Sequence, residues 1–132
     1  MRVSSRVVEV KTFGPLELHP VTQIVENIVR ESCSGEGIAW ISVEGATPAL
    51  LILEKGSEKM FIEYITKLVP ISGWRHGNAY AHLISTLVGT TLAIPIIEGK
   101  LVLKPSQELY LLETRFVYNH TRRLLIEVHC KS

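Results

Sequence analysis

Near Thr90 the chain changes period, and this constrains its fold more than any other feature. Beyond that point short strand-like runs follow one another at 92–97, 101–103, 109–114 and 122–130, with a turn at Glu98 and Gly99. The last run puts Leu124, Ile126, Val128 and Cys130 on one face and Arg123, Leu125, Glu127 and His129 on the other. Before Thr90 helical spacing alternates with strands. A β-branched segment at 4–12 ends at Gly14 and Pro15. Pro20 then opens a helix in which Val21, Ile24, Val25, Ile28 and Val29 form an apolar stripe. Strands at 38–43 and 49–53 meet across Gly45, Thr47 and Pro48, a joint too irregular for a two-residue hairpin. Ser57 caps a second amphipathic helix with Met60, Phe61, Tyr64, Ile65 and Leu68 as its buried stripe, ending before Pro70. Strand, helix, strands, two helices and a run of strands is not the regular alternation of a parallel sheet. It predicts an α+β fold: a mixed, largely antiparallel sheet packed with two amphipathic helices and one short site helix.

The 132 residues, 46% hydrophobic and 20% charged, suffice for one compact domain over 1–132 with its own core. Fourteen basic residues balance thirteen acidic ones, for a net charge of +1, and they are scattered. That gives no electrostatic reason to expect a nucleic-acid or anionic-membrane partner. The N-terminal segment alternates instead of forming a signal-peptide core, and no apolar run reaches membrane length, so a cytoplasmic protein is expected. Cys33 and Cys130 have neither CxxC nor metal-ligand spacing and read as two buried thiols, with a disulfide between them as the alternative.

The segment 75–91, RHGNAYAHLISTLVGTT, carries the polar groups most suggestive of a site. As a short helix it would place Tyr80, Leu83, Ile84 and Leu87 on an apolar face, and Asn78, His82, Ser85 and Thr86 opposite. Asn78 would cap it, leaving the amides of Ala79 and Tyr80 facing a space flanked by His76 and His82, a corner suited to phosphate or carboxylate. The bland reading is a solvated face with incidental histidines, and two histidines six apart match no recognised zinc spacing. Glu54 could serve as a base or metal ligand, or simply as a solvated turn residue; Gln107 could bond a ligand or merely start a strand. No Gly-rich phosphate loop, HExxH or GxSxG is present.

In their order these residues resemble the YjbQ-like family. GATPALLILE (45–54) is similar to the family segment that carries His-Thr-Thr-Ala and ends in glutamate. WRHGNAYAHLISTLVGTTLAIPIIEGKLVL (74–103) matches its His, Asn-Ala-x-Ala-His, Gly, Pro and Gly-x-Leu-x-Leu series, and the likeness continues through PSQELYLLE and the closing strand with Arg123. The resemblance implies an α+β fold, a homotrimer, and a weak thiamine-phosphate synthase activity attributed to some members. It also implies site roles: His82 and Glu54 in catalysis, and His76, Asn78, Thr47, Gln107 and Arg123 in binding a small phosphorylated metabolite. A divalent metal ion, if one is used, would fall to His76 and His82.

The chain departs from the family pattern at several of these positions. Gly45 stands where the family has a histidine, with Ala46 for its first threonine and Pro48 for the following alanine. Lys104, Pro105, Ser106 and Gln107 replace Gly-x-Trp-Gln, keeping only the glutamine. His120, Thr121, Arg122 and Arg123 replace Pro-Arg-x-Arg, so Arg123 is the matched arginine and Arg122 a neighbour that could compensate. Losing one imidazole removes a donor that glycine cannot replace and weakens any metal site. Three readings follow: a thiamine-phosphate synthase-type transferase, a trimer that binds a phosphorylated ligand without turnover, and a trimer in which the cluster is an intersubunit hydrogen-bond network.

Overall fold

The structure, a computed structural model, describes residues 1–131. Strand β1 (Arg2–Thr12) and the short β2 (Glu17–Pro20) precede helix α1 (Thr22–Ser32). Strands β3 (Gly37–Val43) and β4 (Ala49–Glu54) follow, then helices α2 (Glu58–Leu68) and α3 (Ala79–Val88). The chain closes with β5 (Thr91–Ile97), β6 (Lys100–Leu101), β7 (Gln107–Glu113) and β8 (His120–Cys130). The strands form a five-stranded sheet in the order β1-β8-β3-β5-β6 and a three-stranded sheet in the order β2-β7-β4, and every pairing is antiparallel. The irregular joint at Gly45–Pro48 carries the chain from one sheet to the other, which is why it does not turn as a hairpin.

Alternation in β8 sets the main core. Leu124, Ile126, Val128 and Cys130 point inward, as their spacing predicts, and meet Ala39, Ile41, Ile94 and Ile96 of the neighbouring strands. Val21 at the N-cap of α1 and Val25, Ile28 and Val29 within it, with Leu50, Leu109 and Leu111 of the small sheet, close this core from the other side. The reverse face of the small sheet (Ala49, Leu51, Tyr110, Leu112) packs on Ile65 of α2 and on Tyr80, Ala81 and Ile84 of α3 in a second cluster. Each fully buried aliphatic side chain contributes about 1.5–3 kcal/mol of transfer free energy. The β5–β6 turn has positive φ at both Glu98 (52°) and Gly99 (74°), the left-handed pair a tight hairpin requires.

Four local expectations need correction. His19 and Pro20 end strand β2 instead of opening a helix, and the helix begins at Thr22. The backbone amide of Val21 still bonds Leu109 O (2.9 Å), so β7 holds the chain extended up to that point. β2 is a sheet edge, where the missing amide of Pro20 is tolerated. The α2 stripe is too broad: Ile65 is buried, whereas Met60, Tyr64 and Leu68 are 62%, 68% and 67% exposed along an uncovered flank. In α3 the helical period is right but the phase is shifted. Tyr80, Ala81, Ile84 and Ser85 face inward and Leu83 and Leu87 outward, because the small side chains of Ala81 and Ser85 let the helix approach the start of β4, where Ser85 donates to Pro48 O (2.7 Å). Finally, Cys33 and Cys130 are joined in a disulfide with Cα atoms 5.5 Å apart. The C-cap of α1 and the last residue of β8 meet at one edge of the core, a proximity that 97 residues of separation conceal.

Candidate functional site

The residues singled out from the sequence lie at two ends of the small sheet. At one end the start of α3 is fastened to the β3–β4 joint by a run of buried hydrogen bonds. Tyr80 Oη donates to Thr114 O (2.8 Å), Thr114 Oγ1 donates to Thr47 O (2.6 Å), and Thr47 Oγ1 accepts from Arg122 Nη2 (2.9 Å). His76, Asn78 and His82 ride on the exposed side of this anchored turn. Asn78 occupies the capping position without a side-chain cap bond, its amide instead lying 3.4 Å from His82 Nε2. The Ala79 amide is spent on His76 O (3.1 Å), so it is not free for a ligand as the sequence suggested.

At the other end, Glu54 and Gln107 are register partners across β4 and β7. Glu54 is exposed and accepts from Ser106 Oγ (3.0 Å); Gln107 Oε1 accepts from the Lys104 amide (2.9 Å). The six residues of β4 put Glu54 about 16 Å from Ala49, so within one chain it does not share a site with the joint at Thr47. Among the described residues no three His, Cys, Asp or Glu side chains gather as metal ligands, and His76 and His82 lack a third partner from this chain. The donor set of a single chain therefore does not fit a divalent cation.

The charge at the joint was not read from the sequence. Arg122, not Arg123, faces inward. Its Nε and Nη2 donate to Glu113 Oε1 (2.8 Å) and Oε2 (2.7 Å), and Thr12 Oγ1 donates to Glu113 Oε1 (2.7 Å). Glu113 is fully buried and Arg122 is 8% exposed. Burial pushes the Glu113 carboxyl up, but hydrogen bonds from Arg122, Thr12 and the Arg115 amide outweigh it and hold the group below the usual carboxylate range. Arg122 Nη1 makes no hydrogen bond among the described residues and lies beside Gly45, where an added Cβ would come within 3.2 Å of it. Gly45 itself sits at φ 121°, a conformation that side chains rarely adopt. Arg123 is on the outer face, in a half-exposed pair with Glu44 (3.3 Å). The signal that identifies the inward arginine is parity: Arg122 shares the even register of Leu124 and Ile126.

The family model described as UPF0047 protein YjbQ-like matches residues 6–131. A UPF0047 protein of Archaeoglobus fulgidus is 34% identical over 124 residues, covering 89% of this chain and 94% of the relative. UPF0047 protein MJ1081 of Methanocaldococcus jannaschii is 30% identical over 112 residues, 80% of each chain. Among solved structures, a YbjQ-like protein of unknown function from Sulfolobus solfataricus P2 superposes with a TM-score of 0.91 at 30% identity, covering 98% of this chain and 99% of that one. A hypothetical protein from Aeropyrum pernix K1 gives 0.84 at 26% identity over 99% and 100%. On sequence and fold together, the chain belongs to the UPF0047 YjbQ-like family.

Proposed function

We propose that the protein is a homotrimer that binds a small phosphorylated metabolite beside the β3–β4 joint, with His76, Asn78 and His82 as outer donors and Arg122 as the inner one. The observation that carries this reading is a nine-tenths-buried guanidinium with one nitrogen left over. Glu113 neutralises and orients Arg122, and with glycine at position 45 no side chain crowds Nη1, which stays free to donate to a phosphate oxygen. Donor nitrogens at such a site stabilise phosphate, and their arrangement on a hydrogen-bonded frame limits the ordering a ligand must induce. Glu54 would reach the same ligand only from a neighbouring subunit, so the pocket lies between protomers. Trimer assembly is supported by apolar surfaces that this chain leaves uncovered. The outer face of the large sheet exposes Val7, Trp40 and Leu125, each between 43% and 48%, and the flank of α2 exposes Met60, Tyr64 and Leu68.

A second reading is transferase chemistry of thiamine-phosphate synthase type. There, a thiazole phosphate nitrogen attacks the pyrimidine methylene carbon as pyrophosphate departs, and the site must stabilise the leaving anion. The family resemblance favours it, while the position of Gly45 favours binding without turnover: glycine supplies no side-chain donor, and its φ disfavours any residue that could.

Calorimetry with inorganic phosphate and thiamine phosphate tests the binding reading. Binding should weaken at least tenfold in the double variant His76→Ala with His82→Ala, with the trimer intact by sedimentation. If neither ligand binds, or the double variant binds equally well, the reading is wrong. Loss of the trimer with unchanged affinity would assign the histidines to assembly instead. An assay with pyrimidine diphosphate and thiazole phosphate, controlled by His82→Ala, decides the transferase reading.

A further inference from the structure

A cleft of about 710 Å³ opens between α1 and the segment joining β6 to β7. Its volume is within the range of small-molecule sites. Gln107 lines it; His76, Asn78 and His82 do not. Four cations surround it: Arg30 from the last turn of α1, Lys55 after β4, Lys100 at the start of β6 and Lys104 beyond its end. Glu26 and Glu108 are its two carboxylates. These groups give the cleft a formal charge of +2 in a chain whose total is +1, so the rest of the chain sums to −1 and the cleft favours an anion.

The polar wall is fixed by internal hydrogen bonds. Thr22 Oγ1 accepts from the Leu109 amide (2.7 Å) and donates to Glu108 Oε2, which orients that carboxylate at the start of α1. Gln107 Oε1 is held by the Lys104 amide, which leaves the Gln107 side-chain NH2 as a donor. Leu101 and Leu103 supply an apolar side. Cations alone would take any polyanion, but a di- or tricarboxylate filling the cleft would bring charge against Glu26 and Glu108. A ligand with one anionic group and several hydroxyls avoids that: the anion meets the lysines, and the hydroxyls donate to the carboxylates and accept from Gln107. From this we infer that the cleft is a binding site for a sugar phosphate, separate from the site at the β3–β4 joint.

Ribose 5-phosphate, inorganic phosphate and ribose serve as probes in calorimetry at low ionic strength, with amide NMR shifts to locate them. Ribose 5-phosphate should bind at least tenfold more tightly than inorganic phosphate, with shifts centred on Lys100, Lys104 and Gln107. Lys100→Ala with Lys104→Ala should weaken it at least tenfold, and these exposed substitutions leave the core untouched. Glu26→Leu should lower affinity for ribose 5-phosphate without lowering that for inorganic phosphate. The double variant His76→Ala with His82→Ala should bind ribose 5-phosphate like the unmodified protein. No binding at millimolar concentration, or no effect of the lysine substitutions, overturns the inference. Equal affinity for inorganic phosphate overturns the sugar assignment. Loss of binding in the histidine variant would move the ligand to the joint, overturning this site while leaving the proposed function standing.

Discussion

Glu113→Gln should be among the most damaging isosteric substitutions in the chain. The carboxylate accepts from Arg122 Nε and Nη2, Thr12 Oγ1 and the Arg115 amide, and has no exposed surface. Glutamine keeps the shape but cannot receive both guanidinium donors, and it leaves the Arg122 charge unpaired where that residue is only 8% exposed. Removing one partner of such a pair costs about 3–5 kcal/mol. That is a large share of the roughly 5–15 kcal/mol available to a domain, and corresponds to a fall of about 10–20 °C in Tm. Urea unfolding at fixed protomer concentration measures it. Glu113→Leu with Arg122→Met should recover most of the loss, because no buried charge then remains. The pH dependence follows from the lowered Glu113 pKa: the pair's contribution is fully present above the ordinary carboxylate value of 4.5 and is lost as pH falls through the lower folded value. The unmodified protein should therefore lose stability in acid more steeply than Glu113→Gln. A loss below about 1 kcal/mol, or costs for Glu113→Gln and Arg122→Met that simply add, would refute the reasoning.

Three further outcomes follow from the same geometry. Gly45→His should destabilise the fold by about 1–3 kcal/mol, since the residue sits at φ 121° and its Cβ would approach Pro48 Cδ at 3.1 Å; thermal unfolding at or above the midpoint of the unmodified protein would contradict this. Tyr110 is pushed up to about 12 by burial and by its 2.8 Å hydrogen bond to Glu58, so its contribution is present below 10 and lost as pH rises through about 12; Tyr110→Phe should delete the last step of an ultraviolet tyrosinate titration. Thiol labelling of the denatured, unreduced protein should find Cys33 and Cys130 unreactive, and reduction should cost about 4–5 kcal/mol for a loop spanning 97 residues; two reactive thiols would show the pair to be open.

What the sequence yielded depended on how many neighbours had to be known. The faces of β8 and the inward stripe of α1 were legible because a single period and one buried side determine them. The division into two sheets was not: β3 and β4 look like neighbours in the chain, and only the pairing of β3 with β5 and β8, and of β4 with β7, shows each strand leaving for different partners. Strand β2 was hidden because its four residues lack an alternating pattern and its structure comes from β7. Motif order pointed to Arg123, yet residue 123 shares the outward parity of Leu125, whereas 122 shares the inward parity of Leu124. Strand register therefore settles which arginine is buried. The sequence offered that register, but a charged residue on a core face becomes credible only when its counter-charge is known. Glu113 supplies it from a strand in the other sheet, nine residues earlier in the chain. The same pairing gives Gly45 a physical reason: a guanidinium drawn inward by Glu113 occupies space beside the joint that a side chain would contest.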